Sequence, residues 1–250
     1  MDSNDPESKR RLAKIRYDQG EANSMNGNDA KSLEFHQAGL ALRRELLNAS
    51  RNDLELRYEV TRSMSAIALL KEKAKESAEA SVLYRDVVAS LEELARFDTK
   101  NLQYQYRRAD GHESLGRLFH AENRISEALR SQERAKEIRE KLPMDDPSMP
   151  TVQADLLRSY DWLGFLPSKV GPLTESLLYY EKARTIREKM LQDDPSNAHL
   201  RADFITNLGS VTFLLRKLDR LEEAKQIENI RIMKRWPDSC QLHLAKRPRR

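Results

Sequence analysis

Apolar side chains recur along the chain at the three- and four-residue spacing of amphipathic helices. Between residues 151 and 166 they occupy Val152, Leu156, Leu157, Tyr160, Leu163 and Leu166, and residues 173–191 follow the same rule. This spacing predicts helices, because a strand would alternate apolar and polar residues. The intervening segment 167–172 contains two prolines and a glycine, so it is predicted to be a turn.

The helical pattern repeats every 48 residues. Residues 139–166 align without a gap on residues 187–214, and earlier segments keep the same register. One column holds only small residues or threonine: Gly20, Ala68, Gly116, Gly164 and Thr212. A second small column follows twelve residues later: Ser32, Ala80, Ala128, Ser176 and Ala224. Small residues let two helix backbones approach closely, so each repeat is predicted to be a packed helix pair.

The repeats predict ten helices in five antiparallel pairs. First helices are expected near 8–22, 53–70, 101–119, 150–166 and 198–216, and second helices near 29–48, 75–96, 124–142, 173–191 and 220–235. The units 8–48, 53–96, 101–142, 150–191 and 198–235 would form one all-α, right-handed solenoid domain, because a single pair cannot bury both its faces. Residues 1–7 are expected to be disordered and residues 236–250 to form a basic tail. A long coiled coil is the alternative, but the recurring Asp-Pro and Gly-Pro breaks oppose a continuous apolar seam.

The repeats resemble tetratricopeptide repeats (TPR). That family pairs a Leu-Gly near the end of the first helix with an Ala twelve residues later, as in Leu115-Gly116 followed by Ala128. The resemblance covers about residues 8–235, although the family's usual unit is about 34 residues. The longer unit is similar to repeats of kinesin light chains and to those beside bacterial Ser/Thr protein kinase domains.

The resemblance implies a non-enzymatic scaffold or signalling adaptor that binds a protein partner, with a Ser/Thr kinase or another signalling protein among the partners. A detached regulatory repeat region of such a kinase is an alternative, since the chain has no kinase motif of its own. In this family the first helices line a concave groove. The residues expected there by period are Arg62, Glu113, Arg117, Arg158, Asp161, Phe165 and Phe213. This set mixes charges with two phenylalanines, so we expect a partner that makes both charged and apolar contacts.

The charge leaves a second alternative, an RNA-binding helical repeat protein. The chain carries a net charge of +4 and has a pI near 9.1. Residues 234–250 alone contribute six basic residues against Asp238, a net +5, which leaves −1 for residues 1–233. RNA-binding repeats need a basic stripe along the array. We therefore do not expect nucleic acid to be the partner.

Candidate catalytic and metal-binding residues are few. The sequence has no phosphate-binding loop, no GxGxxG and no HExxH pattern. Cys240 and His243 could form half of a metal site, but no second half is present. His112 and His120 are expected to be ordinary surface groups. We predict no enzyme activity, cofactor or metal.

Four aromatic residues cluster in the fourth unit: Tyr160, Trp162, Tyr179 and Tyr180. They are expected in the core, with an anchor pocket for a partner peptide as the alternative. One cysteine favours a reducing compartment, and no run of about 18 apolar residues occurs. We therefore expect a cytoplasmic protein.

Overall fold

The computed structural model describes residues 5–144, 146, 151–167 and 171–234, and it contains helices but no strand within them. The helices are α1 (Pro6–Met25), α2 (Asp29–Ala49), α3 (Leu54–Lys73), α4 (Ser77–Phe97), α5 (Leu102–Ala121), α6 (Ile125–Arg139), α7 (Val152–Phe165), α8 (Leu173–Asp193), α9 (Ala198–Lys217) and α10 (Leu221–Lys234). Every predicted helix is present, and the ends differ from the expected ones by three residues at most. The all-α prediction with ten paired helices is confirmed.

The contacts divide the chain into two compact units. The first unit extends to Val152 and the second begins at Gln153. In the first unit each helix from α1 to α6 packs against the next one along the chain. In the second unit α9 packs against both α8 and α10.

Most of the first helices begin at a capping side chain that keeps the 48-residue register. Asp5, Asp53, Asn101 and Asn197 each accept a hydrogen bond from a backbone N–H in the first turn of α1, α3, α5 and α9. Such caps satisfy a donor that the helix itself leaves open. The cap at Asp5, followed by Pro6, starts α1 two residues before its expected beginning at residue 8. The remaining residues of the expected disordered segment, 1–4, and the basic tail 236–250 lie outside the described residues.

Three-residue turns join the helices within four of the pairs. The middle residue of each turn is in the left-handed region: Gly27 (φ 75°), Lys75 (φ 62°), Asn123 (φ 60°) and Asp219 (φ 59°). The residue after it donates its N–H to a carbonyl five residues back, as Glu76 does to Lys71 at 2.9 Å. This is the Schellman arrangement that ends many helices. Because the turns are so short, the two helices of each pair run antiparallel.

The small columns allow the helices of a pair to pack closely. Ala68, Ala80 and Ala128 are fully buried. At Gly164 a Cβ atom would lie 2.7 Å from the ring of Tyr180, closer than real contacts allow. The sequence prediction of small residues at helix crossings is therefore confirmed at these positions.

Each unit has its own apolar core. In the first unit a cluster that includes Val60, Met64, Val87 and Leu91 joins α2, α3, α4 and α5. In the second unit Leu177 of α8, Phe204 and Leu208 of α9 and Ile227 of α10 belong to one cluster. The side chains left outside these cores are the ones available for binding.

Candidate functional site

A pocket of about 300 Å³ lies on the first helices of the first unit. We call it the tyrosine pocket, and its lining includes Tyr17, Tyr58, Arg62, Leu69 and Arg107. Arg62 is exposed, with its guanidinium carbon 4.6 Å from the centroid of the Tyr17 ring. Burial raises the pKa of Tyr17, so this ring carries a neutral hydroxyl. The expected groove residue Arg62 therefore borders a concave aromatic surface.

Glu113 does not face a groove, which corrects the sequence prediction. Glu113 is 4% exposed, and its Oε2 atom lies 2.6 Å from Nη2 of Arg139, which is itself fully buried. Asp110 accepts a second hydrogen bond from the same guanidinium nitrogen at 2.9 Å. An acidic residue on α5 is thus neutralised by an arginine from α6. Glu113 holds the two helices together and is not presented to a partner.

Arg117 is half-buried and ties α5 to the preceding pair. Its Nη2 atom lies 3.2 Å from Glu72 on α3, and Nη1 lies 3.7 Å from Glu113. About a third of its side chain is exposed. Arg117 is therefore part of an ion-pair network, with one edge of the guanidinium left at the surface.

Buried arginines on the second helices were missed by the sequence analysis. Arg43 donates hydrogen bonds to the backbone oxygen of Glu59 at 3.1 Å and to Ser63, and its guanidinium carbon lies 4.9 Å from the Tyr17 ring centroid. Arg187 binds both carboxylate oxygens of Asp161. The sequence feature that could have indicated them is a column of equivalent positions spaced by 48 residues, which holds arginine in three of four cases: Arg43, Leu91, Arg139 and Arg187. A charged residue recurring in a helix-packing register indicates a buried ion pair.

In the second unit, Arg158 and Asp161 also have partners within the protein. Arg158 lies 2.5 Å from Asp155 one turn earlier in α7, while half of its side chain is exposed. Asp161 pairs with Arg187 of α8. Both expected groove residues are at the surface of α7, with their charges already paired.

Phe165 and Phe213 line one pocket of about 470 Å³ in the second unit. We call it the aromatic pocket; its lining is Phe165, Tyr180, Thr206, Gly209, Ser210, Phe213, Leu214 and Arg231. Phe165 is 37% exposed and Phe213 is 56% exposed. The structure thus brings together the two phenylalanines that the sequence analysis assigned to the groove.

Arg231 forms part of the wall of the aromatic pocket. A Cβ atom on Gly209 would lie 3.4 Å from its guanidinium carbon, so the absence of a side chain there makes room for the cation. Glu228 pairs with Arg231 at 3.2 Å. Lys217 adds a second positive charge, with Nζ 5.7 Å from the centroid of the Phe213 ring. The pocket therefore combines apolar walls with two cations at its edge, of which Arg231 is paired with Glu228.

The four clustered aromatic residues divide between the core and this pocket. Tyr160 and Tyr179 are buried and stack on each other at 6.3 Å between ring centroids. Trp162 is half-buried and packs edge-on against Phe165 at 6.0 Å. Tyr180 lines the aromatic pocket, and burial raises the pKa of its hydroxyl.

Solved structures share this helix arrangement over nearly the whole chain. A kinesin light chain-like protein of Podosopora anserina with nearly identical TPR-like repeats aligns with a TM-score of 0.60 over 91% of this chain and 96% of the other, at 18% identity. The chain has the TPR-like repeat fold. BtubC (BKLC) from P. vanneervenii aligns with a TM-score of 0.56 over 98% of this chain and 94% of its own, at 14% identity. The apo form of RapI gives 0.56 over 90% and 83%, at 15% identity.

No protein-family model matches the sequence, and no curated protein matches it either. The TPR-like fold therefore rests on the structural alignments and on the helix pairs themselves. The described residues contain no group of three or more His, Cys, Asp and Glu placed to hold a metal ion. Cys240 and His243 lie outside the described part of the chain. None of the TPR-like helices in the described ranges is long and apolar enough to cross a membrane.

His112 is not the ordinary surface group that the sequence suggested. It is half-buried on α5, and burial together with the positive charges of Arg108 and Arg134 lowers its pKa to about 4. Glu92 and Glu137 act in the opposite direction with smaller effect. At neutral pH this TPR-like repeat therefore holds a neutral imidazole among charged neighbours.

This lowered pKa predicts a pH-dependent stability. Between about pH 6.5 and pH 4 the unfolded chain binds a proton at His112 that the folded chain does not, so stability falls as the pH is lowered. His112→Met removes this contribution, and Met64 shows that methionine fits the equivalent position. Between pH 7 and pH 5 we expect the unfolding constant to rise roughly twentyfold more in the wild type than in the variant.

Urea unfolding at both pH values measures this difference. His36 also has a pKa lowered by burial, but it is present in both proteins and cancels in the comparison. The same pH dependence in wild type and variant would show that His112 titrates normally in the folded state.

Proposed function

We propose that this protein is a non-enzymatic interaction scaffold that holds a polypeptide segment of its partner against the first helices. The observation that carries the proposal is the aromatic pocket, where Phe165 of α7 and Phe213 of α9 stand exposed on either side of a concave surface. Apolar surface exposed to water is unfavourable, so a ligand that covers the two phenylalanines gains free energy from their burial. The similarity of the fold to TPR-like repeat proteins supports a role in protein interaction.

The pocket suits one bulky apolar side chain. Its volume of about 470 Å³ is within the range of ligand-binding clefts. A leucine or aromatic residue of a partner could insert between the two phenylalanine rings, with Tyr180 beside it. Aromatic contacts of this kind supply much of the energy at protein interfaces.

The charges around the pocket favour an acidic neighbour for that side chain. Arg231 lines the pocket and Lys217 lies above the Phe213 ring. The tyrosine pocket of the first unit repeats this combination, with Arg62 and Arg107 beside aromatic rings. We therefore propose a partner segment in which an apolar anchor lies within a few residues of Asp or Glu. Electrostatic complementarity would orient such a segment.

Among the partner classes, a Ser/Thr kinase or another signalling protein is the one to test first, because long repeats of this type resemble those beside such kinases. RNA has less support, since the net positive charge lies in residues 234–250, at the end of the last repeat and in the tail. We propose the cytoplasm as the location, because a single cysteine in the chain is compatible with a reducing compartment.

Selection from a phage-displayed peptide library on the immobilised full chain tests the proposal without a known partner. We expect enriched peptides to combine an aromatic or leucine residue with a nearby Asp or Glu. The best peptide is then measured by calorimetry against the wild type and Phe213→Ala. Loss of an anchor contact should weaken binding at least tenfold.

Phe97→Ala is the matched control for this experiment. Phe97 is 70% exposed at the end of α4 and lines neither the aromatic pocket nor the tyrosine pocket. It should leave the affinity unchanged. If no peptide is enriched, or if the enriched peptide binds Phe213→Ala as well as the wild type, the aromatic pocket is not the binding site.

A further inference from the structure

A polar cavity lies between α4, α5 and α6 of the first unit, away from the residues that form the two pockets described above. We call it the basic cavity; it encloses about 580 Å³, and its charged lining consists of Glu92, Arg108, Arg134, Glu137 and Lys141. His112 and Gln105 add neutral polar groups, and Leu102, Ile138 and Leu142 add apolar surface. The cavity is therefore suited to a ligand that has a charged group attached to an apolar organic group.

Two of its residues break the pattern of the repeat. Position 108 corresponds, in steps of 48, to Val60, Leu156 and Phe204, which are all buried core residues. Position 112 corresponds in the same way to Met64, Tyr160 and Leu208, which are also buried. Among the second to fifth repeats, only the third has an arginine and a histidine there. The second, fourth and fifth repeats show that an apolar pair packs at this place.

Arg108 is poorly satisfied by the protein itself. Its Nε atom is buried and finds no hydrogen-bond partner among the described residues. Burial lowers the pKa of Arg108, Glu92 raises it, and the nearby charges of Arg134 and Arg96 lower it further. A half-buried guanidinium facing a second guanidinium destabilises the fold unless an anion compensates for it.

The acidic residues of the cavity already have other partners. Glu92 lies 3.0 Å from Arg96, one turn later in α4. Glu137 lies 3.0 Å from Arg134 on α6. Neither carboxylate pairs with Arg108 at ion-pair distance within the part of the chain that the structure describes. The positive charge of Arg108 is thus left for a ligand.

We propose that the basic cavity binds a phosphate monoester, with Arg108 as its principal ligand and Arg134, Lys141 and His112 around it. Arginine recognises phosphate through two parallel hydrogen bonds, which a fixed, half-buried guanidinium can make without further ordering. A monoester carries about −1.5 to −2 charges near neutral pH. This charge matches the net positive charge of the cavity lining, which is +1 with neutral His112 and +2 once the imidazole takes a proton.

The volume of the cavity agrees with this ligand class. Ligand sites commonly enclose about 300–1,000 Å³, and this cavity exceeds what a bare phosphate needs. Leu102, Ile138 and Leu142 would contact the organic part of the ester. That part could belong to a free small molecule or to a phosphorylated side chain of a protein, and the two sources share the same phosphate chemistry.

Titration of the full-length chain with phenyl phosphate, followed by calorimetry and by NMR of the histidine rings, tests the assignment. We expect saturable binding, competition by inorganic phosphate, and proton uptake at His112 that raises its pKa in the complex. Benzoate, a monoanion of similar size, should bind at least tenfold more weakly. Phosphotyrosine as the free amino acid and within a peptide distinguishes the two sources, since a protein ligand should bind more tightly as the peptide.

The double variant Arg108→Val with His112→Met removes the proposed ligands of the phosphate and should still fold. It copies Val60 and Met64 of the second repeat, so we expect the same helical content and at least the wild-type stability. Phenyl phosphate affinity should fall at least tenfold. Arg130→Gln, which removes one positive charge from an exposed position of α6 outside the cavity, should retain the affinity.

Three results would overturn the proposal: no saturable binding of phenyl phosphate at millimolar concentration, equal affinity for benzoate, or unchanged affinity in the double variant. The outcome is independent of the proposed scaffold function. Phe213→Ala should bind phenyl phosphate as the wild type does, so failure of the aromatic pocket and failure of the basic cavity can be told apart.

Discussion

Replacing Arg139 with leucine is expected to destabilise the protein by about 3–5 kcal/mol. The guanidinium of Arg139 is fully buried and is the partner of Glu113, which is 4% exposed. Without it, the buried carboxylate of Glu113 would keep only the longer contact with Arg117 at 3.7 Å. Helix propensity does not explain the loss, because arginine and leucine are almost equal in this respect. Urea unfolding followed by circular dichroism measures the effect.

The second 48-residue repeat supplies a rescue for this variant. Leu91 occupies the position equivalent to Arg139, and Ser65 occupies the position equivalent to Glu113. Arg139→Leu combined with Glu113→Ser should therefore recover most of the lost stability. Arg96→Leu serves as a control, because its ion pair with Glu92 is exposed and should contribute less than about 1 kcal/mol. A single variant as stable as the wild type, or a double variant no better than the single one, would contradict the ion-pair interpretation.

Phe204→Ala is expected to destabilise the second unit by about 3–5 kcal/mol. Phe204 is 1% exposed and belongs to the core cluster of that unit, so truncation leaves a cavity as well as removing apolar contacts. Urea unfolding followed by tryptophan fluorescence reports this unit, since Trp162 lies in α7. The effect should exceed that of any surface change in the same helix.

Phe213→Ala provides the comparison within α9. Phe213 is 56% exposed, so its truncation should change the free energy of unfolding by only about 0.5 kcal/mol. The two Phe→Ala substitutions lie nine residues apart in α9. Comparing them distinguishes a residue that stabilises the fold from one that is proposed to bind a partner. Equal destabilisation by both substitutions would mean that Phe213 is a core residue and not an anchor.

The helices and their pairing could be predicted from the sequence because both depend on local information. Apolar spacing sets the helices, and the 48-residue repeat reveals the pairs. The capping residues follow the same register, although they were recognised only in the structure. Phe165 and Phe213 occupy equivalent positions of successive first helices, and both line the aromatic pocket.

The charged residues were harder to place, because their burial depends on partners far along the chain. Glu113 shares the register of exposed groove positions, and only Arg139, on the following helix, makes its burial favourable. The burial of His112 was hard to predict for the same reason, since its environment is set by α4 and α6 as well as by α5. Arg231 stands where earlier repeats have Ala135 and Ala183. Its contact with Gly209 depends on the packing of two helices.

The three-residue turns also bear on how the chain reaches its native state. Because each of these turns closes within three residues, a helix finds its partner among its nearest neighbours in sequence, and few contacts require distant segments to meet. Low contact order of this kind is associated with fast folding. In repeat proteins, folding can also start at more than one place and spread to adjacent pairs. A chain emerging from the ribosome could therefore complete its early helix pairs while the later ones were still being synthesised.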